Sequence, residues 1–309
     1  MNEQISLREL VEMWESEKRG RVKRSTMAAY MNIIRLHVLS EFETMEDLVS
    51  GNLQAFVDRR LEEGMTVKSL KDILIVVKML LRFGREKGLT SREVGRIHFP
   101  KVASPTVEVF TPLQQRVLMD YLKGQLTFKN LGLLICINTG LRIGEVCGLK
   151  WEDIDLKRGT LSVNKTLYRI YLGEEGTKRT ELLLESPKTQ HSFRIVPLSE
   201  SLKGLLKGVM DKADPGNFVL SNSSRPIEPR TYRNHYRRVI ETLGLPELKF
   251  HCLRHSFATR CIESDCDYKS VSVILGHSNI STTLNLYVHP SYEKKKECIE
   301  RMLGRIEGF

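Results

Sequence analysis

The sequence predicts a mainly α-helical chain with a small β-sheet (α+β), built as a helical bundle followed by a larger domain. Capping signals ahead of apolar residues at helical spacing fill the first 98 positions. Strand-type alternation is confined to the stretch from about Ile154 to Leu198, and helical patterns resume from Ser199 to the C-terminus. A length of 309 residues is about two domains at ~150 residues each. With 41% hydrophobic and 28% charged residues there is ample material for a core in each.

In order along the chain, Ser6-Leu-Arg-Glu9 forms a capping box ahead of Leu7, Leu10, Val11 and Trp14. Ser25 opens a second helix through Tyr30, Ile33, Ile34 and His37, and Asn52 caps a third that Gly64 ends. A fourth runs from Thr66 to about Lys87, with Leu70, Ile73, Leu74, Val77, Leu80 and Leu81 inward and Gly88 as its stop. These make a bundle over residues 1–98. The segment from Pro100 to Pro105 and beyond lacks periodicity, so residues 99–110 read as a linker. Thr111-Pro-Leu places proline at a helix start, opening a second domain at 111–309. Helices follow near 112–123 and 128–139. Strands are expected at Thr160–Val163, Leu182–Leu184 and Arg194–Leu198, with Gly173 and Gly176 marking a turn. A helix at Ser199–Met210 and a tail helix at Ser291–Leu303 complete the reading.

The 48 Lys+Arg exceed the 38 Asp+Glu, a formal charge of +10, and most of that excess falls after residue 100. A basic domain suits a polyanion, because neutralised phosphates release counterions; a merely solvated basic surface is the alternative. The longest uncharged apolar run, Leu131–Ile137, is far short of the ~20 residues of a membrane span. Met-Asn-Glu-Gln at the start lacks a signal-peptide layout. The six cysteines form no framework and read as reduced cytosolic thiols. No phosphate-binding GxxxxGK[ST], dinucleotide GxGxxG or GxSxG elbow occurs. His251 and His255 are spaced as in a zinc-protease helix, but Cys252 stands where that motif needs Glu, so no metal is expected.

Several basic residues sit in distinctive frames. Arg142 lies in Thr139-Gly-Leu-Arg-Ile-Gly-Glu145, and Lys188 in Ser186-Pro-Lys-Thr189. His251 and Arg254 share His-Cys-Leu-Arg-His-Ser-Phe-Ala-Thr259; His277 follows Leu275-Gly276, and Tyr287 stands ten residues later. Together, in this order, they resemble the tyrosine recombinase (phage-type integrase) family over roughly residues 111–290. The helical N-terminal region resembles that family's core-binding domain more loosely. The His277–Tyr287 spacing and the long stretch from Val163 to Arg194 are similar to those of mobile-element integrases.

The resemblance implies phosphoryl transfer on double-stranded DNA. A phosphodiester gains negative charge as a nucleophile adds, so donors belong where that charge grows. Arg142 and Arg254 would bind the non-bridging oxygens bidentately, with His277 as a further donor. Tyr287 would attack phosphorus to give a 3′-phosphotyrosyl ester, its pKa of ~10 lowered by cationic neighbours. Lys188 would protonate the leaving 5′ oxygen, and His251 would position the phosphate and accept the tyrosine proton. Glu145 would orient Arg142 or His251. His255 reads as structural or as a hydrogen-bond partner. No cofactor is implied. A tetramer on two DNA sites is implied, with accessory or directionality proteins as further partners, in the bacterial cytoplasm at the nucleoid. Arg230, Arg233, Arg237 and Arg238, on an aromatic-interleaved helical segment, and Lys23 and Arg24 are candidate DNA contacts; a solvated basic face is the alternative. A chromosome-dimer-resolving recombinase, a type IB topoisomerase and a non-catalytic DNA-binding regulator are the rival readings.

Overall fold

The computed structural model describes residues 5–48, 50–91, 93–101, 107–171, 180–186, 193–211, 213–287 and 292–307. The chain divides into two compact units: Met1–Pro105 with Ile170–Glu181, and Thr106–Arg169 with Leu182–Phe309.

The first unit holds α1 (Leu7–Lys18), α2 (Arg24–Ile33), α3 (Ser50–Glu62) and α4 (Val67–Glu86). Ser6 and Glu9 form the expected capping box: the Ser6 N–H donates to Glu9 Oε2 at 2.8 Å and the Glu9 N–H to Ser6 Oγ at 3.2 Å. Thr66 caps α4, accepting the Ser69 N–H at 3.2 Å. Leu70, Ile73, Leu74, Val77, Leu80 and Leu81 of α4 are buried against Leu7, Leu10, Val11 and Trp14 of α1. Each such side chain contributes roughly 1.5–3 kcal/mol of burial. Two expected caps move. α2 starts at Arg24 after Lys23, which makes no side-chain cap bond, and it continues as a π-turn over Ile34–Val38. α3 starts at Ser50, so Asn52 lies inside its first turn. Polar first turns carry no apolar marker, and the periodic signal begins only at Leu53.

The second unit opens earlier than the expected linker allows. Phe110 is fully buried and its N–H donates to Ser256 Oγ at 2.9 Å. α5 (Pro112–Gly124) and α6 (Phe128–Thr139) follow, and α6 is buried on nearly every side. Then come α7 (Ile143–Gly148), β1 (Ile154–Asp155), β2 (Thr160–Val163), β3 (Thr166–Tyr171), β4 (Thr180–Glu185) and β5 (Arg194–Pro197), with Ile170 and Tyr171 of β3 and Thr180 and Glu181 of β4 counted in the first unit. The strands form an antiparallel sheet in the order β1-β2-β5 and a separate β3-β4 pair. Leu161 pairs with Val196, and alternation puts Arg194 on the same inward face as Val196 while Ile195 points out. α8 (Glu200–Met210), α9 (Pro229–Thr242), α10 (His251–Glu263), α11 (Tyr268–Leu275), α12 (Ile280–Tyr287) and α13 (Tyr292–Glu307) complete the unit. The tail helix α13 runs further than expected. The turn expected at Gly173 and Gly176 lies outside the described residues, as does Lys188. Among the described residues no helix is long and apolar enough to cross a membrane.

Candidate active site

The site assembles where the ends of α6 and α11 meet α10. Gly140 ends α6 in the left-handed region (φ +66°), which favours glycine, and an added Cβ would stand 2.7 Å from Phe257 Cδ1. The chain then runs extended through Arg142, the residue before α7. Glu145, one turn into that helix, reaches back to accept the Arg142 N–H at 2.8 Å and Arg142 Nη1 at 2.9 Å. Its two oxygens also accept Nη1 and Nη2 of Arg194 at 2.9 and 2.8 Å. Both partners of this forked pair are buried, each 5% exposed.

Gly276 ends α11 in the same left-handed conformation, φ +66°. The helix-end carbonyls, which carry the negative end of the dipole, meet three guanidinium groups there. Arg194 Nε donates to Ile274 O at 2.6 Å, and Arg254 Nη2 to Leu275 O at 2.7 Å. Arg142 donates through Nη1 to Leu275 O at 3.3 Å and through Nη2 to Gly276 O at 3.2 Å. Arg254, 1% exposed, is held on its other side by Gly140 O at 2.9 Å. Arg142 and Arg194 thus share one carboxylate, and all three guanidinium groups share one helix end, which leaves the site net positive. Arg142, 37% exposed at its side chain, is the arginine open to an incoming anion.

Burial alone would raise the Glu145 carboxyl, but the Arg194 pair and then Arg142 outweigh it and hold it at about 2. Burial and the nearby Arg142 pull Arg254 down to about 9, which leaves it charged at neutral pH. His277 follows Gly276, and its Nδ1 is hydrogen-bonded to Oγ1 of the fully buried Thr283 at 2.8 Å. Desolvation, then Arg254 and Arg142, lower His277 to about 4. His251, whose ring keeps an exposed edge, is lowered to about 4 by desolvation first and by His255, Arg254 and Arg142 after it. Both imidazoles are therefore neutral at pH 7.

Tyr287, the last residue of α12, is 7% exposed and packs with Ala258, Val271 and Leu275. Its Oη lies 2.5 Å from Nδ1 of His255, so the hydrogen-bonded neighbour of the phenol is His255. The sequence led us to expect a lowered phenol pKa. The structure gives the opposite net direction: burial raises Tyr287 more than Arg254 and Arg142 lower it. The phenol is protonated in this state.

The structure thus brings Arg142, Glu145, His251, Arg254, His277 and Tyr287 to one place. It adds Arg194, His255 and Thr283, which sequence reasoning did not assign to the site. Lys188 lies outside the described residues. The candidate DNA contacts lie elsewhere in the chain. Arg230, Arg233, Arg237 and Arg238 are exposed on α9, while Tyr232 and Tyr236 are buried on its opposite face. Lys23 and Arg24 stand at the start of α2. Among the described residues, no group of three or more His, Cys, Asp or Glu side chains is placed to hold a metal ion.

Residues 108–294 match the phage integrase family, and residues 6–59 match the N-terminal SAM-like domain of phage integrases. The chain belongs to the phage integrase family. The chain is 27% identical to a tyrosine recombinase XerC-like protein of Caldanaerobacter subterraneus subsp. tengcongensis, over 96% of this chain and 83% of the relative. It is also 27% identical to the transposase from transposon Tn916 of Enterococcus faecalis, over 63% of this chain and 51% of the relative. In fold it is similar to the Tn1549 transposon integrase in complex with transposon right end DNA, with a TM-score of 0.79 at 21% identity, covering 97% of this chain and 100% of that one. A lambda integrase tetramer bound to a Holliday junction matches with a TM-score of 0.65 at 18% identity, covering 94% and 80%. This phage integrase family member is a tyrosine-type DNA strand transferase, a site-specific recombinase.

Proposed function

We propose that this recombinase integrates or excises a mobile element or prophage, cutting and rejoining double-stranded DNA through Tyr287. The observation that carries the reading is the convergence of two guanidinium groups, Arg142 and Arg254, on the Leu275 carbonyl beside His277, with the Tyr287 phenol on the adjoining helix. An in-line attack forms the bond from Tyr287 Oη to the 3′-side phosphorus and breaks the bond from phosphorus to the 5′ oxygen. The phosphotyrosyl ester conserves the bond energy, so the reverse attack by a 5′ hydroxyl reseals DNA without ATP. Arg142 and Arg254 stabilise the charge that grows on the non-bridging oxygens. His277, fixed by Thr283, and His251 donate to the same oxygens once the phosphate raises their affinity for protons. Lys188 is the acid for the leaving oxygen. Glu145 holds Arg142 in place. Arg230, Arg233, Arg237, Arg238, Lys23 and Arg24 bind phosphates of the duplex.

Residues 1–98 act as the core-type DNA-binding domain and 111–309 as the catalytic domain. The active assembly is a tetramer on two DNA sites, served by accessory or directionality proteins and working at the nucleoid. A chromosome-dimer-resolving role is the second reading. It is favoured by the XerC-like relative, which aligns over more of the chain than the Tn916 transposase does. Cleavage mapping separates the two: a cut site at the ends of an element that carries the gene supports the first, and a solitary symmetric chromosomal site supports the second.

The chemistry is tested by incubating the chain with a nicked duplex carrying its cleavage site and resolving products under denaturing conditions. The wild type forms a covalent protein–DNA adduct that Tyr287→Phe does not. An adduct persisting in that variant overturns the nucleophile assignment.

A further inference from the structure

We propose that His255 is a catalytic residue of the cleavage step, the base that receives the phenolic proton of Tyr287 as Oη attacks phosphorus. This rests on the reading of Tyr287 as nucleophile. The geometry is direct: His255 Nδ1 lies 2.5 Å from Tyr287 Oη, and the two rings meet with centroids 5.6 Å apart. With the phenol donating, Nδ1 carries the lone pair and the neutral ring keeps its own proton on Nε2.

The surroundings suit a base. Desolvation and then Arg254 lower His255 below the ordinary imidazole value, so the ring is neutral and able to accept at pH 7. On α10 itself the groups nearest in sequence are His251, whose ring lies edge to face at 4.6 Å, Arg254 and Cys252. α12 brings Tyr287, and Arg142 at the α6–α7 turn acts on that phenol. The other helices packed on α10 are α6, which carries Lys129 and Cys136, and α11, which carries Tyr268 and Lys269. A proton arriving on His255 makes a cation beside Arg254. That is unfavourable in the free site and becomes favourable as charge builds on the phosphate. The proton transfer is thereby tied to the attack. In balance, the proton passes from Oη to Nδ1, the Oη electron pair forms the bond to phosphorus, and the 5′ oxygen leaves with the electrons of the broken bond.

The test uses the full chain and a synthetic duplex in which a bridging 5′-phosphorothiolate replaces the scissile 5′ oxygen. Sulfur leaves without protonation, so single-turnover adduct formation reports on the nucleophile's base and not on the acid. His255→Asn keeps an acceptor oxygen near the place of Nδ1 but cannot take a proton. The variant is expected to form adduct about 100-fold more slowly at pH 7. Its rate should climb steadily with pH, where the wild type reaches a plateau. His251→Asn, which removes a donor to the phosphate, should be slower at every pH yet still level off as the wild type does. A His255→Asn variant within threefold of wild type, with an unchanged pH profile, overturns the base and leaves only a hydrogen bond. His255→Gln, scored by the same profile, covers the case in which the asparagine variant fails to fold; loss of the plateau in either variant, with the rate still climbing, supports the base. If the wild-type adduct maps to a residue other than Tyr287, the nucleophile reading fails instead, and this inference falls with it.

Discussion

Removing the charge of Glu145 should unfasten the site and destabilise the second unit together. Glu145 is 5% exposed and accepts two bonds from Arg194 and two from Arg142. Its carboxyl sits at about 2 instead of the ordinary 4.5. At about 1.4 kcal/mol per pH unit, that gap corresponds to roughly 3 kcal/mol at neutral pH. A second route gives a similar figure, since losing one partner of a buried ion pair costs about 3–5 kcal/mol. The sign is fixed by the direction: a lowered carboxylate stabilises fully above 4.5, and that stability drains away as the pH falls towards 2. The assay is urea unfolding of Glu145→Gln followed by tryptophan fluorescence. Trp14 belongs to the first core and Trp151 to the second, so a Trp14→Phe background confines the signal to the unit of interest. With a slope of about 2 kcal/mol per molar urea, the midpoint should drop by about 1.5 M. The acid slope of stability below pH 4.5 should be shallower in the variant, with Glu228 and Asp267, also lowered, supplying what remains. A loss under about 1 kcal/mol, or an unchanged acid slope, would refute the reasoning that this carboxylate neutralises the arginine cluster.

Gly140→Ala should be severe, because it needs a left-handed backbone and its methyl would stand 2.7 Å from Phe257 and 2.8 Å from Leu275. A loss of at least about 2 kcal/mol is expected by the same fluorescence assay, and a near-neutral variant would contradict the close approach. Arg233→Ala with Arg237→Ala should leave stability within about 0.5 kcal/mol, since both side chains are exposed on α9. If they touch phosphates, the double variant should flatten the slope of log affinity against log salt by about 2. An unchanged slope, measured by fluorescence anisotropy, places DNA on another face.

The element signals were legible where side-chain chemistry is local. Ser6 with Glu9, Thr66 with Ser69 and Thr111 with Gln114 cap their helices through bonds only three residues apart. The apolar faces of α1 and α4 follow from spacing alone. Arg194 was hidden for the opposite reason. In Arg194-Ile-Val-Pro197 a strand must choose which alternate set faces inward, and hydrophobicity favours neither set cleanly. The deciding partner, Glu145, lies 49 residues away. His255 carried a usable signal, since it stands four residues after His251 and so shares its helix face. What the pattern lacked was the phenol, brought in 32 residues later by α12. The clustering of three arginines on the end of α11 had no local trace either, because its bonds join residues 80 to 134 apart apart from that of Arg254, at 21. Like charges gather there only because the Gly276 turn presents carbonyl oxygens to them. A sequence announces which residues are basic, whereas the reason that they tolerate one another lies in backbone atoms whose direction only the fold sets.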